Sequence, residues 1–320
     1  MRFGVAIPTW GPFGDVGALQ DCLGLAEHLG FESAWFADHL AIPAYATDRF
    51  VPPMAEPLAL AGWALARYER LSIGIDVLVA PYRHPVQVAA VAGTLQRLSG
   101  GRLSLGMGIG YLRGEFSALG LEIRDRARVT DETLQALRML WSGHGPHDFQ
   151  GTTFRFDDIL SIAVPQPRVP LLVGGNNHNA LRRAARLGDG WHPLYPSPEQ
   201  YGADRQTIEQ LRRAEGLEHP FVYSFSAHLC RVTDEPIEGD GLSENPGPLR
   251  TEYGYSPPIP RQSSGRPLLN GSADQVAADI DEYRFAGVEQ MVLRVWSSTS
   301  GSGVAETMDQ MTKWAELLQL

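Results

Sequence analysis

Four short stretches combine residue types that could do chemistry. Asp38-His39 follows the apolar run Ser33-Ala34-Trp35-Phe36. An imidazole titrates near neutrality, so an acid beside it could serve a proton relay; a histidine that only ties down a loop is the other reading. Asp76 sits inside the strongly apolar run 71–79. A charge there is costly unless paired, which places it either beside a ligand or in an ion pair. Gly106, Gly108 and Gly110 alternate along the run 102–109 and strip side chains from one face. Crowding within the fold, or a planar ligand pressed on the backbone, would each require that. Gly174-Gly175-Asn176-Asn177 ends another apolar run just before a helical pattern. Free backbone N–H groups and two amides at a helix start suit an anion, and a tight turn with an Asn cap fits equally.

The elements that must position these residues alternate regularly. Apolar runs at 3–7, 31–36, 71–79, 102–109, 170–173, 190–193, 221–232 and 288–295 are predicted strands. Amphipathic segments at 15–29, 57–68, 85–98, 129–141, 179–187, 198–215, 272–285 and 304–318 are predicted helices. Arg83-His84-Pro85 reads as a helix start, with proline in the first turn. Strand then helix, eight times over, predicts a parallel sheet covered on both faces. Length and unit count favour a closed (β/α)8 TIM barrel over an open doubly wound sheet, in one domain over residues 1–320. All four stretches then fall at the C-terminal ends of strands, where such barrels carry their active sites. Two insertions interrupt the pattern. Residues 149–156 alternate about a glycine and predict a hairpin. Residues 235–267, rich in Pro, Gly and Ser, read as a lid or a disordered insertion.

Bulk properties exclude several classes. The net charge of −10 argues against a general nucleic-acid binder, which needs a basic footprint. An anionic cofactor stays compatible, because helix N-termini hold phosphate without net positive charge. Cys22 and Cys230 are far apart and predict reduced thiols, not a disulfide or metal framework. No His-rich cluster follows the strands, so no metal is expected. The start of the chain reads as a strand and not as a signal peptide, and no apolar run approaches the ~18 residues of a membrane span. A cytoplasmic protein with no membrane partner is the expectation.

Together these stretches resemble a known family. Asp38-His39-Leu40 after a Ser-x-Trp strand is one element. Arg83-His84-Pro85-Val86 leading to Leu98-Ser99-Gly100-Gly101-Arg102-Leu103-Ser104-Leu105-Gly106-Met107-Gly108-Ile109-Gly110 is the second. Pro170-Leu171-Leu172-Val173-Gly174-Gly175-Asn176, followed by Arg182-Arg183-Ala184-Ala185-Arg186-Leu187-Gly188-Asp189-Gly190-Trp191, is the third. The chain resembles the luciferase-like monooxygenase superfamily over about residues 3–195, and most closely its branch that uses the deazaflavin coenzyme F-420. The resemblance implies a TIM barrel, usually a homodimer, with the cofactor at the C-terminal mouth and a small-molecule substrate. It implies that His39 gives or takes a proton near the reactive ring carbon, with Asp38 orienting it. Asp76 and Val77 would form a bulge behind the ring, which in relatives holds a non-prolyl cis peptide. Ile109, Gly110 and Tyr111 would line the ring edge. Gly174, Gly175, Asn176 and Asn177, with Ser197, would hold the ribityl-phosphate part. Tyr111 stands where some deazaflavin dehydrogenases have a carboxylate, and no basic residues match those that hold a sugar phosphate there. The implied activity is hydride exchange between the deazaflavin and a small organic substrate. A reduced-FMN monooxygenase using oxygen is the first alternative, and a non-catalytic flavin-binding paralogue the second.

Overall fold

Alternating strands and helices leave the strands no exposed face. The barrel strands are therefore largely buried: Leu103, Leu105 and Met107 in one, Leu171, Leu172 and Val173 in another, are all buried. The computed structural model describes residues 1–47, 50–239, 260–296 and 303–320. Its strands are β1 Arg2–Ala6, β2 Ser33–Phe36, β3 Ser72–Val79, β4 Leu103–Gly108, β5 His147–Gln150, β6 Arg155–Ile159, β7 Leu171–Gly174, β8 Gly190–His192, β9 Val222–Ser226, β10 Arg231–Val232, β11 Asn270–Gly271 and β12 Gln290–Leu293. Its α-helices are α1 Val16–Leu29, α2 Pro57–Arg67, α3 Pro85–Leu98, α4 Arg113–Ala118, α5 Arg126–Leu140, α6 His178–Leu187, α7 Pro198–Ala214, α8 Ala273–Phe285 and α9 Val304–Leu318. Parallel pairing runs β1-β12-β9-β8-β7-β4-β3-β2 and closes on β1. This is a (β/α)8 TIM barrel.

The barrel interior is filled, not hollow. The Trp35 indole lies across it, bonded to the Ser33 hydroxyl and stacked on the His192 ring at 4.9 Å. A side chain at Gly74 would overlap that indole, which accounts for a glycine in mid-strand. Outside, the helices begin on local caps. Asp15 accepts from the Ala18 amide, Asn177 from Ala180 and Ser197 from Gln200. His84 caps α3 by accepting from the Val86 amide, as its position before Pro85 suggests.

The hairpin near 149–156 is present as β5 and β6, somewhat longer than expected. Its turn is tied to α5 by the Glu132 carboxylate, which accepts from the Thr152, Thr153 and Phe154 amides. Other expectations need correction. The run 221–232 is not one strand: Leu229 turns the chain into the left-handed region (φ 53°) and separates β9 from β10. The short helix α4 has no counterpart among the predicted elements. Of the loop 235–267, residues 240–259 lie outside the described residues. Its downstream end is anchored: Arg266 is buried and makes two bonds to Asp279 of α8, at 2.7 and 2.9 Å. Among the described residues no helix is long and apolar enough to cross a membrane, and no group of metal-ligating side chains gathers.

Candidate active site

Asp38 and His39 leave β2 in succession and face different partners. The Asp38 carboxylate is buried and gripped by both Arg83 nitrogens at 2.7 and 2.8 Å, and it accepts from the Val79 amide at 2.8 Å. Burial pushes this carboxyl above its ordinary value against the pull of Arg83. Arg83 also reaches Glu56 at 2.6 Å, so Asp38 ties the ends of β2 and β3 to the start of α2. The carboxylate on the His39 ring is a different one. Glu115 of α4 meets Nδ1 at 2.9 Å. Glu115 is fully buried and also accepts from the Leu40 and Ala41 amides and the Tyr82 hydroxyl. The implied orienting role of Asp38 thus falls to Glu115.

Burial alone would raise the Glu115 carboxyl, but the His39 ring and the two amides outweigh it and hold it below the ordinary value. An ionised carboxylate only accepts, so Nδ1 carries the hydrogen of this bond. That leaves Nε2 as the exchangeable position of the neutral ring. Phe50 lies 4.2 Å from the ring and Tyr111 6.1 Å, edge-on. Trp10 joins Phe50 and Trp296 at 5.2 and 4.9 Å, and Leu112 completes the same apolar cluster. These side chains come from the segments after β1, β2, β4 and β12, so His39 sits in an aromatic wall at the C-terminal mouth.

The glycines on β4 answer to crowding. A Cβ at Gly106 would lie 2.5 Å from the Ile75 carbonyl oxygen, and one at Gly108 would overlap the Val77 side chain. Val77 projects there because β3 bulges between Ile75 and Leu78, where the Asp76–Val77 peptide is cis. Gly174 of β7 borders the same side chain. Ile109, Gly110 and Tyr111 continue from β4, and Gly110 takes a left-handed φ of 75° against Val79 and Phe116. Asp76 resolves as an ion pair: it accepts from Arg294 at 2.6 Å and from the Ser226 hydroxyl at 2.8 Å, and lies 3.2 Å from His192 Nε2. Burial opposes its charge, but Arg294 and then His192 hold the carboxyl far below the ordinary range.

Across the mouth, Asn176 is used at both ends. Its amide donates to the Leu194 carbonyl at 2.7 Å and accepts from the Leu194 N–H at 3.2 Å. Asn177 and Ser197 cap α6 and α7, and Gly175 (φ 106°) passes its carbonyl to the Trp191 indole. Both the turn and the cap therefore exist, beside two helix N-termini that can take an anion. Glu115, Tyr82, Arg83 and Arg294 lie outside the residues expected from sequence. Arg294 does have a signal, a cation at the C-terminal end of the run 288–295.

Residues 1–237 match the family model described as luciferase-like monooxygenase. The chain belongs to the luciferase-like monooxygenase family. Within and around this family, it is 34% identical over 171 residues to an F420-dependent glucose-6-phosphate dehydrogenase of Microbacterium testaceum, covering 52% of this chain and 49% of that one. It is 31% identical over 184 residues to an FMNH(2)-dependent dimethylsulfone monooxygenase of Pseudomonas fluorescens, covering 56% and 50%. The chain thus matches about half the length of each. Among solved structures, the monooxygenase RslO1 of Streptomyces bottropensis superposes with a TM-score of 0.77 at 22% identity, covering 100% of this chain and 99% of that one. That likeness shows a shared barrel fold.

Because Asp76 and Glu115 are both depressed, each binds fewer protons folded than unfolded near its unfolded pKa. Stability should be fully present at neutral pH and fall as acid reaches the carboxylate range, below about pH 4. Asp76→Asn should cost about 3–5 kcal/mol at neutral pH by leaving Arg294 unpaired. It should also flatten the acid limb. Urea unfolding as a function of pH reads both; an unchanged limb contradicts the assignment.

Proposed function

We propose that this luciferase-like chain is an oxidoreductase that exchanges hydride between a deazaflavin coenzyme of the F420 type and a small organic substrate. The observation that carries the reading is the His39–Glu115 pair: a buried, ionised carboxylate fixes the hydrogen on Nδ1 and leaves Nε2 to exchange a proton. The resemblance to an F420-dependent dehydrogenase supports the choice of cofactor. The mouth's residues fit such a group. The Thr9 hydroxyl is buried with no partner next to the aromatic wall, and the N-termini of α6 and α7 suit its phosphate. Val77 would back the ring, Asp76 would brace that bulge, and Ile109, Gly110 and Tyr111 would border its edge. Gly174, Gly175, Asn176, Asn177 and Ser197 would hold the polar tail.

When bound, the deazaflavin supplies the hydride acceptor or donor. His39 Nε2 takes the proton that a substrate hydroxyl loses as its carbon gives up hydride, and returns a proton to the carbonyl oxygen in reverse. Glu115 stabilises the imidazolium formed in between. Phe50, Tyr111, Trp10 and Trp296 keep water from that proton and from the reacting carbon.

A reduced-FMN monooxygenase is the second reading, favoured by the likeness to the dimethylsulfone enzyme. Titrating the purified protein with the oxidised deazaflavin and with FMN separates the two. A saturable absorbance change with the deazaflavin, at least ~10-fold tighter than with FMN, is expected. Tight FMN binding with none for the deazaflavin overturns the first reading.

A further inference from the structure

Arg294 follows the end of β12 with most of its hydrogen-bonding capacity unused by the described residues. A guanidinium has five N–H donors in a planar fork. Among the described residues, Asp76 takes one of them through Nη2 at 2.6 Å. Nε is buried and has no partner at all. The side chain is only 13% exposed, so water reaches the remaining donors only along one edge and not Nε. A charge needing only an internal counter-ion would be expected to give Asp76 both donors of one edge, as Arg83 gives two nitrogens to Asp38. Arg294 does not.

Its surroundings place it in the same mouth as His39. Its guanidinium carbon lies 6.0 Å from the Trp296 ring, and Trp296 packs on Trp10. Tyr111, which meets His39 edge-on, and Tyr195 both act on its charge. Burial lowers its hold on the proton, but Asp76 more than restores it, so the group stays a cation. Thr9, one residue before Trp10, has another buried polar atom without a partner among the described residues.

We propose that Arg294 is an anion-recognition residue of the mouth, whose uncommitted donors take a delocalised oxyanion. That anion is either the pyrimidine edge of the reduced deazaflavin or a carboxylate of the substrate. The inference rests on the cofactor reading above for its first source only. In either case Asp76 holds the guanidinium from one side while the ligand takes the other, and the fork gives planar recognition that a lysine would not.

The test compares four affinities in the full chain: the oxidised and reduced coenzyme under anaerobic conditions above neutral pH, and benzoate and benzyl alcohol as a charged and a neutral probe. Absorbance reads the coenzyme, and quenching of the mouth tryptophans reads the probes. The double variant Asp76→Asn/Arg294→Met leaves no uncompensated buried charge, and its thermal melt reports whether it folds. A loss of at least ~10-fold for the reduced coenzyme, with the oxidised form within ~3-fold, assigns the anion to the coenzyme. The same pattern for benzoate against benzyl alcohol assigns it to the substrate. All four affinities within ~3-fold of the parent in a folded variant overturn the proposal. Should the double variant not fold, Arg294→Lys keeps the charge but loses the fork; it should still weaken one anion, and unchanged affinities again overturn the proposal. If the parent takes FMN and no deazaflavin, the cofactor reading fails, while oxidised against reduced FMN still decides Arg294.

Discussion

His39→Ala should lower kcat by about 10²–10⁴, the usual range for removing a positioned acid or base. Coenzyme affinity should stay within a few-fold. The reason lies in what His39 touches. Its Nδ1 is committed to Glu115, and its faces pack on Phe50 and Tyr111, so the ring is part of the wall. Only Nε2 is left to exchange a proton. Deleting the ring removes that exchange and leaves Val77, the β4 end and the α6 and α7 N-termini in place. Single-turnover rates and coenzyme titrations on the same preparation check this. A variant with unchanged turnover would make His39 a structural residue, and one that loses coenzyme binding would make it a cofactor contact.

Glu115→Gln should cost about as much activity, with a loss of stability clearly smaller than that of Glu115→Ala. Oε1 of the amide can still accept from Leu40 and Ala41. The amide nitrogen would stand where Oε2 receives Nδ1 and the Tyr82 hydroxyl, and it can only donate. The imidazole then has to accept at Nδ1 and carry its hydrogen on Nε2, the wrong tautomer for a base. In serine hydrolase triads the equivalent carboxylate-to-amide change lowers kcat about 10⁴-fold. Glu115→Ala should instead be strongly destabilised, since it strands two amides, a hydroxyl and a ring nitrogen in a buried site at a cost of about 3–5 kcal/mol. The contrast between the two variants, in kcat and in urea midpoint, separates positioning from packing. Equal destabilisation by both would contradict the positioning role.

The barrel is legible in the sequence because most of its strands are short apolar runs and strands alternate with helical patterns along the chain. The glycines of β4 are legible as a close approach to the backbone, by crowding or by a ligand, while the β3 bulge opposite them is implied only by the family resemblance. What crowds Gly108 is Val77, a side chain of the fold itself. Glu115 is not legible from strand ends. It sits on α4, whose six residues are too few to show a helical period. Asp38 misleads for a related reason. Adjacent residues in extended chain project to opposite sides, so the acid next to His39 in sequence is turned toward Arg83 and Val79. The run 221–232 breaks at Leu229, a bulky residue in a conformation its type gives no reason to expect.

The central claim is that His39 and this mouth serve hydride transfer and not oxygen activation. The most direct measurement is an anaerobic one: the protein, the oxidised deazaflavin and a panel of small alcohols, with the reverse reaction run from the reduced coenzyme and the matching carbonyl compounds. Loss of the oxidised coenzyme's absorbance in step with carbonyl product is expected, with no oxygen required and with the rate lost in His39→Ala. Turnover seen only with reduced FMN and only with matching oxygen uptake would contradict it.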